Sequence, residues 1–170
     1  MPNMTQVTYG AFGSIITSHL QIMKKTILTT VAAVCSASSF VHADGKAAFM
    51  MCSACHGADG KGLQVGAKKM APTLAGSAVA NGDPSVLALA ILKGIKKEGA
   101  EYLGVMAALE AVYADDQKLA DVMTYVRQSF GNKAAAVTKE DAAKFRAQWK
   151  DVKEPVTRAK IAELANKAAE

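Results

Sequence analysis

Two cysteines and a histidine lie within five residues of one another, at Cys52, Cys55 and His56. Residues three apart in a helix share a face, so a single helical turn would present both thiols on one side. The spacing C-x-x-C-H is typical of covalent haem attachment, in which both thiols add to one porphyrin and the following histidine binds its iron. The segment therefore predicts one haem c, attached through two thioether bonds, with His56 as an iron ligand.

Other uses of a closely spaced cysteine pair fit this chain less well. A thioredoxin-like site has the same C-x-x-C spacing but lies beside a β-α-β pattern, and no strand pattern precedes Cys52. A structural zinc site needs four ligands, which would require a second pair of cysteines or histidines. A disulfide between Cys52 and Cys55 would close a very small loop, where the stabilisation is least. Redox or disulfide chemistry is thus the alternative to haem attachment.

The segment that begins at Met23 has the three parts of a secretory signal peptide. Two lysines follow Met23, an apolar run covers residues 27–34, and small residues lead to Ala43. That run is too short to span a bilayer. We therefore predict a signal peptide over residues 23–43, cleavage after Ala43, a periplasmic location and no membrane span in the mature chain.

Residues 1–22 contain no Lys or Arg and match no targeting class, so we interpret them as a non-native upstream extension ahead of a start at Met23. Removal of residues 1–43 lowers the formal net charge from +5 to +3, because Lys24 and Lys25 are the charged residues lost. The remaining chain contains two cysteines and a single histidine, His56. Two histidine ligands to one iron are therefore excluded.

Methionine is the next common iron ligand, and a His/Met pair raises the haem potential. The methionines of the mature chain are Met50, Met51, Met70, Met106 and Met123. The first two adjoin the attachment turn and cannot reach the other ring face. Met123 lies in a periodic apolar run, which predicts core packing. Met106 lies in a loop-like stretch after Gly104 and is favoured as the second ligand, with Met70 as the alternative.

Residues 45–132 resemble the class I cytochrome c domain in four features that occur in the family's order. These are Gly45 to Phe49, Cys52 to Gly57 with the run Asp59-Gly60-Lys61-Gly62, Ala71 to Ser77, and Asp121 to Arg127 followed by Phe130-Gly131-Asn132. The chain also resembles the members of this family that serve secreted dehydrogenases.

The resemblance implies an all-α cytochrome c fold over residues 44–132, with three to four short helices around one covalently bound haem. It assigns His56 and Met106 as the iron ligands and the carbonyl of Pro72 as the acceptor for the histidine proton. Such a bond orients the imidazole and raises its basicity. The sequence departs from the family at Met106, which no proline follows, and at Phe130, where the family has tryptophan.

Helix signals are strongest in three places. Asp83 is a predicted N-cap with Pro84 at the first helical position, for a helix that ends near Lys93. A second helix is predicted from Asp115 or Asp116 to about Ser129, with Gly131 as its stop. The first helix is expected to end near Met51.

Residues 133–170 are predicted to form a helical C-terminal extension. Thr138 and Asp141 have the spacing of a capping pattern, Phe145 and Trp149 lie one turn apart, and Thr157 could cap a last helix. The extension is either packed on the cytochrome domain or a docking arm for a partner enzyme.

We predict an electron carrier rather than an enzyme. The alternatives are the electron-accepting cytochrome subunit of a dehydrogenase complex, docked through the extension, and a haem-based sensor or small-ligand binder. The expected partners are redox proteins, either a dehydrogenase or a terminal oxidase or reductase. The mild basic balance, with a pI near 9.1, does not indicate nucleic acid. Lysines that could steer an acidic partner are Lys61, Lys68, Lys69, Lys93, Lys96 and Lys97.

The processing prediction has a direct test. N-terminal sequencing of the exported protein should start at Asp44, and the precursor should start at Met23. Peptides from residues 1–22 in native material would contradict the proposed start.

Overall fold

The computed structural model describes residues 44–167. The predicted upstream extension and signal peptide lie outside these residues. The elements are α1 (residues 44–56), β1 (Gln64–Val65), β2 (Lys68–Lys69), α2 (Ala78–Asn81), α3 (Pro84–Lys93), α4 (Asp116–Gln128), α5 (Lys139–Gln148) and α6 (Arg158–Lys167). The two short strands form an antiparallel hairpin that the sequence did not predict. The predicted all-α fold is confirmed, and within residues 44–167 no helix has the length and apolarity to cross a membrane.

Helix α1 is longer than predicted, because it continues past Met51 and includes the whole cysteine-histidine segment. It ends at His56, and Gly57 follows with φ of 74°. A residue with positive φ directly after a helix is a common stop, and glycine adopts it without steric cost. The carbonyls of Cys55 and His56 then accept the N–H groups of Leu63 and Gly62, at 2.9 and 2.7 Å. The loop after the helix is thereby fixed against its last turn.

Helix α3 begins and ends at the predicted residues. The side chain of Asp83 accepts the N–H of Ser85 at 2.8 Å, and Pro84 occupies the first turn. All residues from Ser85 to Lys93 are buried, because α2, α4, α5 and α6 pack around the helix. The helix is therefore buried all round rather than along one face.

Lys93, one of the lysines considered for steering a partner, is buried and cannot serve in that way. Its side chain is 9% exposed and forms an ion pair with Glu110 at 2.7 Å. Burial of a lysine requires such a partner, so this ammonium group is already engaged.

Helix α4 follows its predicted N-cap, Asp115, whose carboxylate accepts the N–H of Lys118 at 3.0 Å. The predicted stop at Gly131 is one residue late, because Phe130 already has φ of 59°. This conformation costs a non-glycine residue about 1–3 kcal/mol. The Phe130 ring packs against Phe49 and Tyr125, with ring centroids 5.2 and 5.7 Å apart, and these contacts offset the strain.

The C-terminal extension packs against the rest of the described chain. Thr138 and Asp141 form the predicted capping box at the start of α5. Arg146 pairs with Asp116 at 2.8 Å, and the indole N–H of Trp149 donates to the Ser85 carbonyl at 2.8 Å. These bonds attach α5 to the starts of α4 and α3.

Asn132 is a buried polar residue that joins several segments. Its side-chain oxygen accepts the backbone N–H of Gly76 and the amide of Asn81, both at 2.9 Å. Its amide nitrogen donates to the carbonyls of Leu74 and Val126, at 3.0 and 2.8 Å. All four hydrogen-bonding positions of this amide are therefore satisfied.

Replacement of Asn132 by Ala should destabilise the fold by about 3 kcal/mol or more, since each buried group left without a partner costs about 1–3 kcal/mol. Chemical denaturation measures this loss. The matched control is Gln128→Ala, because the Gln128 amide donates one long bond, at 3.5 Å, to the Ala134 carbonyl. Equal losses in the two variants would contradict the assigned role of Asn132.

Candidate functional site

A cavity of about 590 Å³ lies beside the last turns of α1. Apolar side chains from several helices line it, including Phe49 of α1, Leu87 and Ile91 of α3, and Val122 and Val126 of α4. Pockets for cofactor-sized ligands have volumes of roughly 300–1,000 Å³ and are mostly apolar. The cavity therefore has the size and chemistry for a large, flat, apolar cofactor.

Cys52, Cys55 and His56 all line this cavity from α1. Both thiols are free and partly buried, so the pair does not form a disulfide. Within the described residues, no three His, Cys, Asp or Glu side chains are gathered where they could hold a metal ion. The helical turn thus presents two thiols and one imidazole to an apolar space.

The imidazole of His56 is oriented by a backbone carbonyl. Its Nδ1 lies 3.1 Å from the oxygen of Pro72, and a proton on Nδ1 would leave Nε2 as the basic nitrogen. The Pro72 loop is held against the attachment turn, because Leu74 N–H donates to the Gly60 carbonyl at 2.7 Å. A Cβ at Gly62 would collide with the carbonyl of Ala71, so the close approach of this loop requires glycine.

The electrostatics of the site favour a neutral imidazole. Burial lowers the pKa of His56, the hydrogen bond that its ring donates to the Pro72 carbonyl raises it, and the positive charge of Arg158 lowers it further. Metal ligation requires the neutral form of histidine. The same surroundings raise the pKa of the Cys52 thiol, mainly through burial.

Tyr113 is a site residue that the sequence did not reveal. It is 2% exposed, its hydroxyl donates to the carbonyl of Ala48 at 2.8 Å, and the same oxygen lies 3.5 Å from the sulfur of Cys52. Burial raises the pKa of Tyr113, so the hydroxyl remains a donor. Tyr113 lies in a loop between α3 and α4 without hydrophobic periodicity, and so no local pattern indicated its position beside the thiol.

The structure separates the methionines into different environments. Met70 and Met106 both line the cavity, whereas Met123 is fully buried in the core, as predicted. Met50 is 72% exposed and Met51 is 55% exposed. Met51 also lines the cavity but lies next to Cys52 in α1. Met70 and Met106 are therefore the two candidates that reach the cavity from outside α1.

The Met106 loop is held close to the end of α3. Ile95 N–H donates to the Met106 carbonyl at 2.8 Å. A Cβ on Gly94 would lie 2.5 Å from that same carbonyl and 2.7 Å from the nitrogen of Ala108, and Gly94 has φ of 73°. Glycine at position 94 thus lets the Met106 loop lie close against the end of α3. This contact positions the loop, although no proline follows Met106.

Helix α6 contributes a wall of the cavity that the sequence also did not reveal. Arg158, Ile161, Ala162 and Ala165 line the cavity and have the spacing of one helix face. The extension thus contacts the same space as the cysteine-histidine turn.

An all-α fold around an apolar cavity, with a C-x-x-C-H turn in its wall, defines the class of c-type haem proteins. Residues 42–130 match the family model for cytochrome c. This match covers more than half of the 170 residues, and the chain belongs to the cytochrome c family. A search of curated proteins finds no match to the chain.

The family implies covalently bound haem c and haem-based electron transfer. The residues present fit that cofactor, because the cavity is apolar, two free thiols line it three residues apart, and a neutral imidazole stands beside them.

Proposed function

We propose that this protein is a class I, single-haem electron carrier. The observation that carries the proposal is the bond between His56 Nδ1 and the Pro72 carbonyl, at 3.1 Å, beside a cavity lined by both thiols. It orients a neutral imidazole as an iron ligand, and the only C-x-x-C-H segment in the sequence supports a single haem.

In this proposal each residue has a defined task. Cys52 and Cys55 hold the cofactor through thioether bonds, His56 and Met106 bind its iron, and Pro72 orients the histidine. When bound, haem c supplies an iron that exchanges one electron between its ferrous and ferric forms. Apolar walls from α1, α3 and α4 exclude water, which keeps the ligand set constant during the exchange.

Lysines near the cavity support docking of an acidic redox partner. Lys61, Lys68, Lys69, Lys96 and Lys97 form no ion pair within residues 44–167. Several of their ammonium groups instead donate to backbone carbonyls, such as Lys97 to Tyr102 and Leu103 at 2.6 and 2.9 Å. Their charge is therefore available to steer an incoming partner.

Exposed apolar residues accompany these lysines. Leu63, Val65, Leu103 and Val105 are between 42% and 57% exposed, and Val105 also lines the cavity. Apolar side chains next to unpaired positive charges suit a transient encounter, in which charge orients the partner before a small apolar contact forms.

We also propose export to the periplasm through a signal peptide over residues 23–43, which leaves a mature chain from residue 44. The bonds of Arg146 and Trp149 to the cytochrome domain favour a packed extension over a free docking arm. Co-purification with a dehydrogenase that depends on residues 133–170 would favour the alternative of a complex subunit.

Met106→Ala should abolish the methionine-to-iron charge-transfer band and allow the reduced protein to bind carbon monoxide. The reason is loss of the sulfur that completes the iron's ligands. Optical spectroscopy of the purified haem protein measures both effects.

Two control variants distinguish the methionines. Met70→Ala should keep the band, and loss of the band in this variant alone would identify Met70 as the ligand. Met123→Ala should keep the band but destabilise the fold by about 2–5 kcal/mol, because it removes a buried core side chain. A wild-type protein that already binds carbon monoxide would favour the sensor alternative.

The steering proposal predicts a salt-dependent reaction rate. Oxidation of the reduced protein by ferricyanide, an anion, should slow as ionic strength rises, because salt screens the attraction. Lys97→Gln should lower the low-salt rate several-fold, as measured by stopped-flow absorbance.

The matched control is Lys118→Gln, which removes an exposed positive charge from the first turn of α4, at a residue that does not line the cavity. Its effect should be smaller than that of Lys97→Gln. Rates that do not respond to ionic strength would contradict steering.

A further inference from the structure

Helix α6 lies beyond residues 42–130, the part of the chain that matches the cytochrome c family. One face of α6 nevertheless lines the haem cavity, through Arg158, Ile161, Ala162 and Ala165. Ile161 and Ala165 are buried against Val86, Leu89 and Ala90 of α3, which fixes the helix in place. The cavity wall is therefore completed by a segment outside the matched domain.

Arg158 is unusual among the residues of this wall. Its Nε atom is buried and has no hydrogen-bond partner among residues 44–167. Its guanidinium carbon lies 4.9 Å from the centroid of the Tyr102 ring, which packs on the face of the charged group without accepting the Nε hydrogen. A buried donor without an acceptor is costly, and more so when the group is charged.

The neighbouring acidic residue does not satisfy this donor. The carboxylate of Glu98 accepts the backbone N–H of Arg158 at 2.7 Å. Glu101 lies beside the Tyr102 hydroxyl and raises the pKa of that phenol. The positive charge of Arg158 also lowers the pKa of His56, so the two groups lie close enough to interact.

Arg158 carries the only formal positive charge on the cavity wall within the described residues, once His56 is neutral. A haem bears two propionate groups, which are anionic at neutral pH. A guanidinium offers planar N–H donors that match a carboxylate, and hydrogen bonds between charged groups are stronger than neutral ones.

We propose that Arg158 forms an ion pair with a haem propionate, so that the C-terminal extension both closes the cofactor cavity and raises the haem midpoint potential. This inference rests on the proposed haem attachment to Cys52 and Cys55. A positive charge held near the iron favours the reduced state, and its effect is largest where water is excluded. In this proposal Arg158 affects the iron indirectly, because it contacts the propionate and not the metal.

Arg158→Met keeps an unbranched apolar side chain at this position and removes the guanidinium group with its charge. We expect the midpoint potential to fall, by an amount equal to roughly a threefold to tenfold shift in the oxidation equilibrium. A tenfold shift corresponds to about 59 mV for a single electron. Potentiometric titration at pH 7 measures this, and Arg158→Lys should recover part of the potential because it restores the charge.

Lys160→Met is the matched control, since it removes one positive charge from the same helix at an exposed residue that pairs with Glu163. Its potential should stay near that of the wild type. A second readout is nuclear magnetic resonance of the wild-type haem protein. The Arg158 Nε proton should exchange slowly with solvent and show proximity to propionate protons.

The outcomes separate this inference from the proposed function. Wild-type protein without covalent haem, as shown by mass spectrometry, would overturn the proposed function itself. Haem-loaded Arg158→Met with the potential of Lys160→Met, and a rapidly exchanging Nε proton, would overturn the propionate pair alone. If Arg158→Met does not fold, the lysine variant and the exchange measurement decide the question.

Discussion

The hydrogen bond between His56 and the Pro72 carbonyl, at 3.1 Å, is the interaction on which the proposed site depends. It joins the end of α1 to a loop that crosses back over the attachment turn. Without it the imidazole could rotate, and neither its tautomer nor its direction would be defined. Gly57, Gly62 and the bond from Leu74 to Gly60 all serve to bring that loop within reach. The loop residues near the motif therefore contribute to the proposed iron site through backbone geometry.

The helix boundaries could largely be predicted from the sequence, because the residues that cap each helix lie next to its ends. Asp83 with Pro84, Asp115, and Thr138 with Asp141 each cap a helix within a few residues of their own position. Phe130 shows the limit of such signals, since glycine at position 131 indicated a stop that tertiary packing moved back by one residue. Ring packing against Phe49 decided that position, and Phe49 is distant in sequence.

Residues that act across long sequence separations could not be predicted. Tyr113 reaches Ala48 and Cys52, and its loop has no repeating pattern that would place it there. Lys93 looked like a surface lysine, but the packing of four helices around α3 buries it with Glu110. Arg158 lies in a charged, unremarkable helix whose cavity-facing side becomes visible only when α6 packs on α3. In each case the function of the residue follows from the tertiary fold rather than from its neighbours in sequence.

The position of α6 has a consequence for the order in which the protein is assembled. Synthesis proceeds from the N-terminus, so the cysteines are made well before Arg158 and the rest of the closing wall. While the earlier segments emerge, the cavity lacks that wall and stays accessible from its side. A chain in which α6 has not yet docked on α3 therefore leaves that side of the cavity, and the thiols in its wall, open. The chain order of the elements thus places the segment that closes the cavity last.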